Sequence, residues 1–243
     1  MSAAPFPKRA MVLAAGLGLR MRPLTDALPK PLIEVGGRTL LDRALDRCAA
    51  AGIETVVVNT HYLAERIERH VAARAASGQS APRIVLAYEP ELLETGGGVA
   101  NALPRLVPGP FFVVNSDALW LDGKEDTLKR MAAAWDASSM DGLLLLQPAR
   151  AMPGYEGAGD FARASDGRLA RRAPGGQAPY VYVGVQLLSE RLFDGVAVER
   201  FSINILYDRA IARGRLFGLV HEGAAFHVGA PESIALAERG LGP

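Results

Sequence analysis

Short apolar runs alternate with amphipathic stretches over the first 150 residues of the chain. The runs Val56-Val57-Val58 and Leu143–Leu146 are apolar on both strand faces, which is typical of strands covered by helices on both sides. This alternation predicts βαβ crossovers and an α/β fold, a Rossmann-like, mostly parallel mixed sheet flanked by helices. Strands are predicted at 9–14, 53–59, 83–88, 111–115 and 142–147, and helices at 39–51, 61–76, 96–106 and 125–137.

The pattern changes after Pro148. No linker or internal repeat divides the chain, so we expect one domain over residues 1–243, built from a first half (1–148) and a second half (149–243). The second half is predicted to contain a loop at 149–159, a hairpin at 160–172 about Asp166-Gly167, strands at 180–187, 215–221 and 225–228, and helices at 203–213 and 231–239.

Residues 13–32, LAAGLGLRMRPLTDALPKPL, follow the first predicted strand. Gly16 and Gly18 allow a tight turn whose bare backbone can approach a phosphate. Arg20 and Lys30 add two cations, and three prolines stiffen the path between them. Amide donors and fixed cations on a loop of little freedom indicate a binding site for a polyanion.

Two other phosphate-binding motifs fit this loop less well. The dinucleotide fingerprint G-x-G-x-x-G needs a third glycine where Met21 stands, which weakens the alternative of a dinucleotide-dependent oxidoreductase. The Walker motif needs Gly-Lys five residues after Gly16, and the chain has Met21 there.

Composition narrows the classes of partner and compartment. The 243 residues are 49% hydrophobic, enough for a full core, and the formal net charge of +1 argues against nucleic acid or an anionic membrane as a partner. No stretch approaches the ~20 apolar residues of a membrane span. The first 16 residues have no long apolar segment, so we expect no export leader there. Cys48, the single cysteine, fits a small core residue in a reducing compartment. We expect a cytoplasmic protein, monomeric or a small homo-oligomer.

The string G-x-G-x-R-x-x-P-L-T-x-x-x-P-K-P-L resembles the signature of the sugar-1-phosphate nucleotidyltransferases. The resemblance implies a nucleotide-binding first half and a sugar-binding second half. The LETGGG form and the compact length are most similar to members that use UTP and N-acetylmuramic acid 1-phosphate in bacterial cell-wall recycling. Mannose-1-phosphate guanylyltransferases share most of these strings, which are Glu89-Pro90, Leu93–Gly98, Val114–Asp117, Gly159–Phe161 and Phe226–Gly229.

The family reaction is attack of a sugar-1-phosphate oxygen on the α-phosphorus of a nucleoside triphosphate, with release of pyrophosphate. It depends on positioning, charge neutralisation and a metal. By resemblance, Arg20 neutralises the departing pyrophosphate and Lys30 contacts the reacting phosphates, while Arg22 is either a helper or a solvated cation. Backbone groups of the glycine loop hold the nucleotide, at Ala14, Ala15, Gly16 and Gly18.

Glu89 and Glu94 are the candidates for base recognition. A carboxylate only accepts hydrogen bonds, so it suits uracil N3 or guanine N1, which both donate. The residues leave this choice open, and the resemblance favours uridine. Gly96-Gly97-Gly98 opens a predicted helix, where glycine is costly unless another group approaches the backbone. We expect that group to be a nucleotide base or sugar near Gly97.

Asp117 matches the metal-binding aspartate of the family and Asn115 a sugar contact, whereas Ser116 departs from the usual Asn-Gly-Asp. His227 stands where the family carries its second metal ligand, an aspartate before V-G-T, and is expected to bind the metal directly, to act through water or to hold phosphate. Magnesium prefers oxygen ligands and imidazole suits transition metals, so Mg²⁺ is expected, with Mn²⁺ as an alternative. Loss of turnover, leaving a nucleotide-sugar-binding regulatory module, is the alternative that His227 raises, and Arg20, Lys30 and Asp117 argue against it.

In the second half, Asp160 and Gly184 match sugar-pocket positions of the family. Arg172 stands near the lysine of a family Glu-Lys-Pro motif and is a candidate phosphate contact. Arg163 or Arg171 is a candidate partner for the lactyl carboxylate of a muramic acid. Three histidines show no metal spacing and are expected at packing or surface positions, namely His61, His70 and His221.

Overall fold

The computed structural model describes residues 5–242; residue 243 and residues 1–4, which belong to the stretch expected to carry no leader, lie outside this range. The helices are α1 (Leu40–Ala51), α2 (Ala64–Ala76), α3 (Glu94–Leu106), α4 (Thr127–Ala134), α5 (Asn204–Ala212) and α6 (Glu232–Leu241). The strands are β1 (Arg9–Leu13), β2 (Glu34–Val35), β3 (Arg38–Thr39), β4 (Thr55–Thr60), β5 (Arg83–Tyr88), β6 (Phe111–Asn115), β7 (Ala118–Leu121), β8 (Gly142–Pro148), β9 (Phe161–Arg163), β10 (Leu169–Arg171), β11 (Tyr180–Leu188), β12 (Leu216–Val220) and β13 (Ala224–His227).

Strands from both halves of the chain share one nine-stranded sheet. Its main path runs β10-β9-β11-β6-β1-β4-β5, with β8 paired to β11 and β12 paired to β8. β1 is parallel to β4 and β6, and β4 to β5, whereas β11 is antiparallel to β6 and β8. The predicted α/β fold with a mostly parallel mixed sheet is confirmed.

Successive residues of β4 pack into different layers. Val56 and Val58 belong to the core layer that contains α1, whereas Val57 belongs to the layer that contains α3 and α5. All three valines are fully buried. A strand covered on both faces must be apolar at every position, which explains why this run lacks the alternation of a half-exposed strand.

The largest difference from the predicted elements is β7, which the sequence pattern did not reveal. This four-residue strand follows Asp117 and pairs antiparallel with β13, placing Ala118 opposite His227. α3 begins at Glu94 and not at residue 96, and α2 begins at Ala64 because Leu63 takes a left-handed φ of 50°.

The expected core position of Cys48 agrees with the structure. Cys48 is fully buried, and burial raises the pKa of its thiol to about 12. Within the described residues, no helix combines the length and apolarity that crossing a membrane requires.

A buried ion cluster joins α1 to α2. Asp42 Oδ1 accepts from Arg74 Nη1 at 2.8 Å, and Oδ2 lies 2.9 Å from His70 Nε2 and accepts from the Thr39 hydroxyl at 2.9 Å. Burial alone would raise the pKa of Asp42, but the hydrogen bonds from His70, Arg74 and Thr39 outweigh it and hold the pKa well below its ordinary value. Ionised Asp42 therefore stabilises the fold.

Asp42→Asn should lower the free energy of unfolding by about 3 kcal/mol, because it leaves the buried Arg74 guanidinium without one of its charged partners. Because the pKa of Asp42 is lowered on folding, its carboxylate stabilises the folded protein at pH values above the ordinary pKa of 3.8, and this contribution is lost progressively as the pH falls below that value. The variant lacks this carboxylate and should therefore lose less stability than wild type in acid. Urea titrations between pH 7 and pH 3 test this. Glu54→Gln, in the exposed pair with Lys8, is the control and should change stability by less than about 1 kcal/mol.

Candidate active site

A cleft of about 670 Å³ opens where the carboxyl ends of β1, β4 and β6 meet, as expected for ligand sites in parallel sheets. The start of α3 and the segment 199–203 complete its walls. Nine residues expected at a site line it: Ala14, Ala15, Gly16, Gly18, Arg20, Lys30, Glu94, Asn115 and Asp117. Its other lining residues are Leu13, Leu17, Leu19, Met21, Pro31, Asn59, Leu92, Thr95, Ser116, Arg200, Ser202 and Gly229.

The two glycines of the phosphate loop have different reasons to be glycine. Gly18 has a left-handed φ of 64°, and a methyl group there would lie 2.9 Å from the Thr25 methyl group. Thr25 also donates its hydroxyl hydrogen to the Gly18 carbonyl at 2.9 Å. Gly16 has no heavy atom within 4 Å of the position its Cβ would take. Gly18 therefore shapes the loop, and Gly16 leaves bare backbone beside the cleft.

A chain of buried hydrogen bonds fixes the start of this loop. The Ala14 N–H donates to Asn59 Oδ1 at 2.7 Å, and Asn59 Nδ2 donates to Glu89 Oε1 at 2.7 Å. Glu89 Oε2 accepts from the Leu93 N–H at 3.1 Å. Glu89 is fully buried and does not line the cleft, so its carboxylate holds Asn59 and the start of α3 and does not face a base.

Another segment of the protein's own chain approaches the glycine triplet of α3. A methyl group on Gly96 would collide with the Phe201 ring and one on Gly97 with the Glu199 carbonyl. The Gly96 N–H donates to the Phe201 carbonyl at 2.9 Å. Gly97 is buried and absent from the cleft wall. The expected close approach to this backbone is thus present, and the group that makes it at Gly96 and Gly97 is the chain's own segment around Phe201.

Lys30 and Asp117 meet in the cleft, with Nζ and Oδ2 2.5 Å apart and both side chains less than a fifth exposed. Asp117 Oδ1 accepts no hydrogen bond from the described residues. Arg20 forms no ion pair with any residue in the range 5–242. The pair thus gives one cation and one carboxylate at fixed positions, and Arg20 adds an uncompensated positive charge.

His227 lies beside this pair but does not line the cleft. The pairing of β13 with β7 brings it next to Ala118, and the Val228 N–H donates to the Asp117 carbonyl at 3.4 Å. The imidazole covers Gly229, where a methyl group would lie 2.5 Å from Nε2. Partial removal of the ring from water lowers the pKa of His227, because it disfavours the charged imidazolium. Asp117 raises this pKa, whereas the cations Lys30 and Arg20 lower it. The ring is therefore neutral at neutral pH.

The predicted sugar contacts of the second half lie outside the cleft wall. Asp160 Oδ2 accepts from the Tyr182 N–H at 2.9 Å, and Arg172 donates to the carbonyls of Gly159 and Gly176 at 3.1 and 3.0 Å. Gly184, at the irregularity of β11, has a φ of 90° and lies against Asn115, since a Cβ there would be 3.2 Å from Asn115 Cβ. Gly184 thus sets the position of Asn115, and Arg172 braces its own loop.

Arg163 and Arg171 are also occupied elsewhere. Arg163 Nε donates to the Gly218 carbonyl at 2.7 Å. Arg171 pairs with Asp208 at 2.7 Å and lies over the Phe161 ring, 4.9 Å from its centroid. These contacts place both guanidinium groups at the sheet edge, so neither is the cation that faces the cleft.

Two contributors were missed by the sequence reasoning. Asn59 follows a valine run and carries no motif, yet it binds the first amide of the phosphate loop. Arg200 lines the cleft and pairs with Glu94 at 2.9 Å, joining residues 106 positions apart. Glu94 itself has a left-handed φ of 59°, which is strained for a residue other than glycine and is concentrated at functional sites.

Comparison with known proteins identifies the family of this chain. A family model described as Nucleotidyl transferase matches residues 9–155. The chain belongs to that nucleotidyl transferase family. It is an enzyme, and relatives of this family use a divalent metal. The predicted family is confirmed.

Individual relatives cover nearly the whole chain. An N-acetylmuramate alpha-1-phosphate uridylyltransferase of Caulobacter vibrioides is 44% identical over 97% of both chains. One from Neisseria meningitidis serogroup B is 37% identical over 77% of this chain and 78% of its own. A UDP-glucose pyrophosphorylase solved with UDP-glucose superposes with a TM-score of 0.75 at 15% identity, covering 96% of this chain and 97% of its own, which shows a shared fold.

Gly16→Ala and Gly18→Ala should fail in different ways. Alanine at residue 16 meets open space in the protein, so Tm should stay within about 2 °C while nucleotide affinity falls, on the order of tenfold, as the methyl group occupies the phosphate approach. Alanine at residue 18 takes a strained φ and meets Thr25, so it should lower stability by about 1 kcal/mol or more. Thermal melts and calorimetric titration with nucleoside triphosphate separate the two. Equal loss of stability in both variants would contradict the assignment.

Proposed function

We propose that the protein transfers the uridylyl group of UTP to N-acetylmuramic acid 1-phosphate, giving UDP-N-acetylmuramic acid and pyrophosphate. The main support for this proposal is the cleft, which brings together the glycine loop, Arg20 and the Lys30–Asp117 pair. The names of the relatives that match over most of the chain support this choice of base and sugar. We place the reaction in bacterial cell-wall recycling in the cytoplasm, with the enzyme a monomer or small homo-oligomer.

The residues of the cleft divide the work of phosphoryl chemistry. The backbone of Gly16 and Gly18 receives the triphosphate, and Arg20 neutralises the pyrophosphate as it leaves. Lys30 contacts the α-phosphate, where a compact ammonium can follow the charge through in-line displacement by the sugar-phosphate oxygen. No side chain forms a covalent bond, because positioning and charge neutralisation suffice for this transfer.

Glu94 is the proposed reader of the base. Its Oε1 is bound by Arg200, and its Oε2 accepts no hydrogen bond from the described residues. A free carboxylate oxygen accepts from the N3–H of uracil but repels the N3 lone pair of cytosine. Of the two glutamates expected to read the base, the proposal keeps Glu94. Glu89 instead holds Asn59 and the start of α3 in place.

The donor set fits a hard divalent cation, Mg²⁺ in first place and Mn²⁺ in second. No group of three or more His, Cys, Asp or Glu side chains between residues 5 and 242 forms a complete metal site. Mg²⁺ commonly takes one or two carboxylates and fills its remaining positions with substrate phosphates and water. Asp117 would be the carboxylate ligand and His227 a further one, and the bound ion would neutralise phosphate charge.

A substrate panel tests the function. Pyrophosphate release should be fastest with UTP and N-acetylmuramic acid 1-phosphate, and slower with N-acetylglucosamine or hexose 1-phosphates. Lys30→Ala should lower turnover on the order of 10²–10³-fold with the fold intact, because one preorganised charge contact to the reacting phosphate is lost. A preference for GTP with mannose 1-phosphate would favour the guanylyltransferase alternative, and no turnover with any pair would favour a regulatory module.

His227 should set the metal preference. If its imidazole replaces a carboxylate, Mn²⁺ should support activity at lower concentration than Mg²⁺. His227→Asp should tighten Mg²⁺ binding, and His227→Ala should weaken binding of both metals. Because the pKa of His227 is lowered from 6.5, the acid loss of metal binding should lie below pH 6.5. Calorimetric metal titrations and activity curves are the measurements; superimposable curves for wild type and both variants would exclude His227 as a ligand.

A further inference from the structure

Glu94, the proposed reader of the base, has a backbone that is held from both sides. The Leu93 carbonyl, one residue earlier, accepts from the Phe201 N–H at 3.2 Å. Thr95 Oγ1, one residue later, accepts from the Ile203 N–H at 3.0 Å. The φ of Glu94 is 59°, a strained value that a residue other than glycine keeps only where its surroundings hold it. These bonds therefore fix the backbone from which the Glu94 side chain enters the cleft.

The carboxylate of Glu94 is held at one of its two oxygens. Arg200 Nε and Nη2 both lie 2.9 Å from Glu94 Oε1, whereas Glu94 Oε2 accepts no hydrogen bond from the described residues. The Glu94 side chain is 39% exposed, so without this contact its torsions would be free to turn the carboxylate. Arg200 thus determines which oxygen remains available to a ligand.

Arg200 takes its own position from its two neighbours in the chain. The Phe201 carbonyl, on one side, accepts from the Gly96 N–H at 2.9 Å. The Glu199 carbonyl, on the other side, lies so close to α3 that a methyl group on Gly97 would collide with it. The guanidinium that binds Glu94 is therefore attached to backbone that is packed against the start of α3.

The ion pair also limits the cost of a carboxylate in a cleft that receives phosphates. Unpaired, Glu94 would repel an incoming triphosphate, and the Arg200 guanidinium offsets that charge. An exposed pair of this kind contributes only about 0–1 kcal/mol to folding, so its effect is expected in nucleotide selection. We propose that Arg200 is a positioning residue for base selection, which holds Glu94 so that Oε2 faces the N3–H of uracil; this rests on the proposed function.

The first test compares UTP with CTP, because N3 donates in uracil and accepts in cytosine. Arg200→Gln should lower the ratio of kcat/KM for UTP to that for CTP about 3- to 10-fold, since a mobile carboxylate keeps only part of a charged hydrogen bond to the base. The change should appear in KM for UTP and not in kcat, because the base is bound equally in the ground and transition states. Arg200→Lys should retain part of the ratio, because an ammonium keeps the charge without the fork. Arg209→Gln, on the exposed side of α5, is the matched control and should leave the ratio unchanged.

A double-mutant cycle tests whether Arg200 acts through Glu94. Glu94→Gln should lower the UTP-to-CTP ratio about tenfold or more, because the amide that replaces the carboxylate can also donate to N3 of cytosine. Arg200→Gln in the Glu94→Gln background should then change the ratio by less than about twofold, since its effect needs the carboxylate. Calorimetric Kd values for the two nucleotides repeat the cycle without turnover.

The opposite results would overturn the inference. Equal losses with UTP and CTP would give Arg200 a general structural role, and no change with either would leave a surface ion pair. A full effect of Arg200→Gln in the Glu94→Gln background would mean that Arg200 contacts the nucleotide itself. A Glu94→Gln variant that keeps the UTP-to-CTP ratio would overturn the inference and leave the proposed transfer intact. A wild type without a preference for UTP would instead reject the proposed function.

Discussion

The cleft depends on one buried side chain, Asn59. It links the Ala14 N–H, the first amide of the phosphate loop, to the carboxylate of Glu89. Glu89 in turn accepts a hydrogen bond from the N–H of Leu93, the residue before α3. A fully buried carboxylate is costly unless its oxygens are satisfied, and here two neutral donors, one from β4 and one from the residue before α3, satisfy both. Gly98 is glycine for the same reason, since a Cβ would lie 2.9 Å from Glu89 Oε1. The geometry between the phosphate loop and the start of α3 is thus fixed before any substrate arrives.

Patterns within one element were enough to predict most of the fold. The doubly apolar runs of β4 and β8 are buried on both faces as expected, because burial on both faces is visible in the local sequence. β7 was missed because its four residues gain their partner only from β13, about a hundred positions later. Its absence from the prediction mattered, since the β7–β13 pair is what brings His227 beside Asp117.

The contacts of individual side chains were harder to predict than the course of the backbone. Four arginines of the second half look equivalent in the sequence, and only their tertiary contacts show which of them support the fold and which lines the cleft. Arg163, Arg171 and Arg172 brace strands and loops, while Arg200 reaches the cleft because the glycine triplet lets its segment approach α3. The sequence showed that something must come close to those glycines, but a ligand and a neighbouring segment demand the same missing side chain. Distinguishing them needed the fold.

The charge of the cleft gives a physical reason for metal dependence. Its lining residues hold three cations, Arg20, Lys30 and Arg200, against two carboxylates, Glu94 and Asp117, so the wall has one net positive charge while His227 is neutral. A triphosphate and a sugar phosphate together carry several negative charges, and each must approach the other for displacement. Repulsion between them exceeds what one net charge can offset, even where partial burial strengthens each contact. A divalent cation that enters with the phosphates supplies the difference without a permanent positive excess that would destabilise the empty cleft.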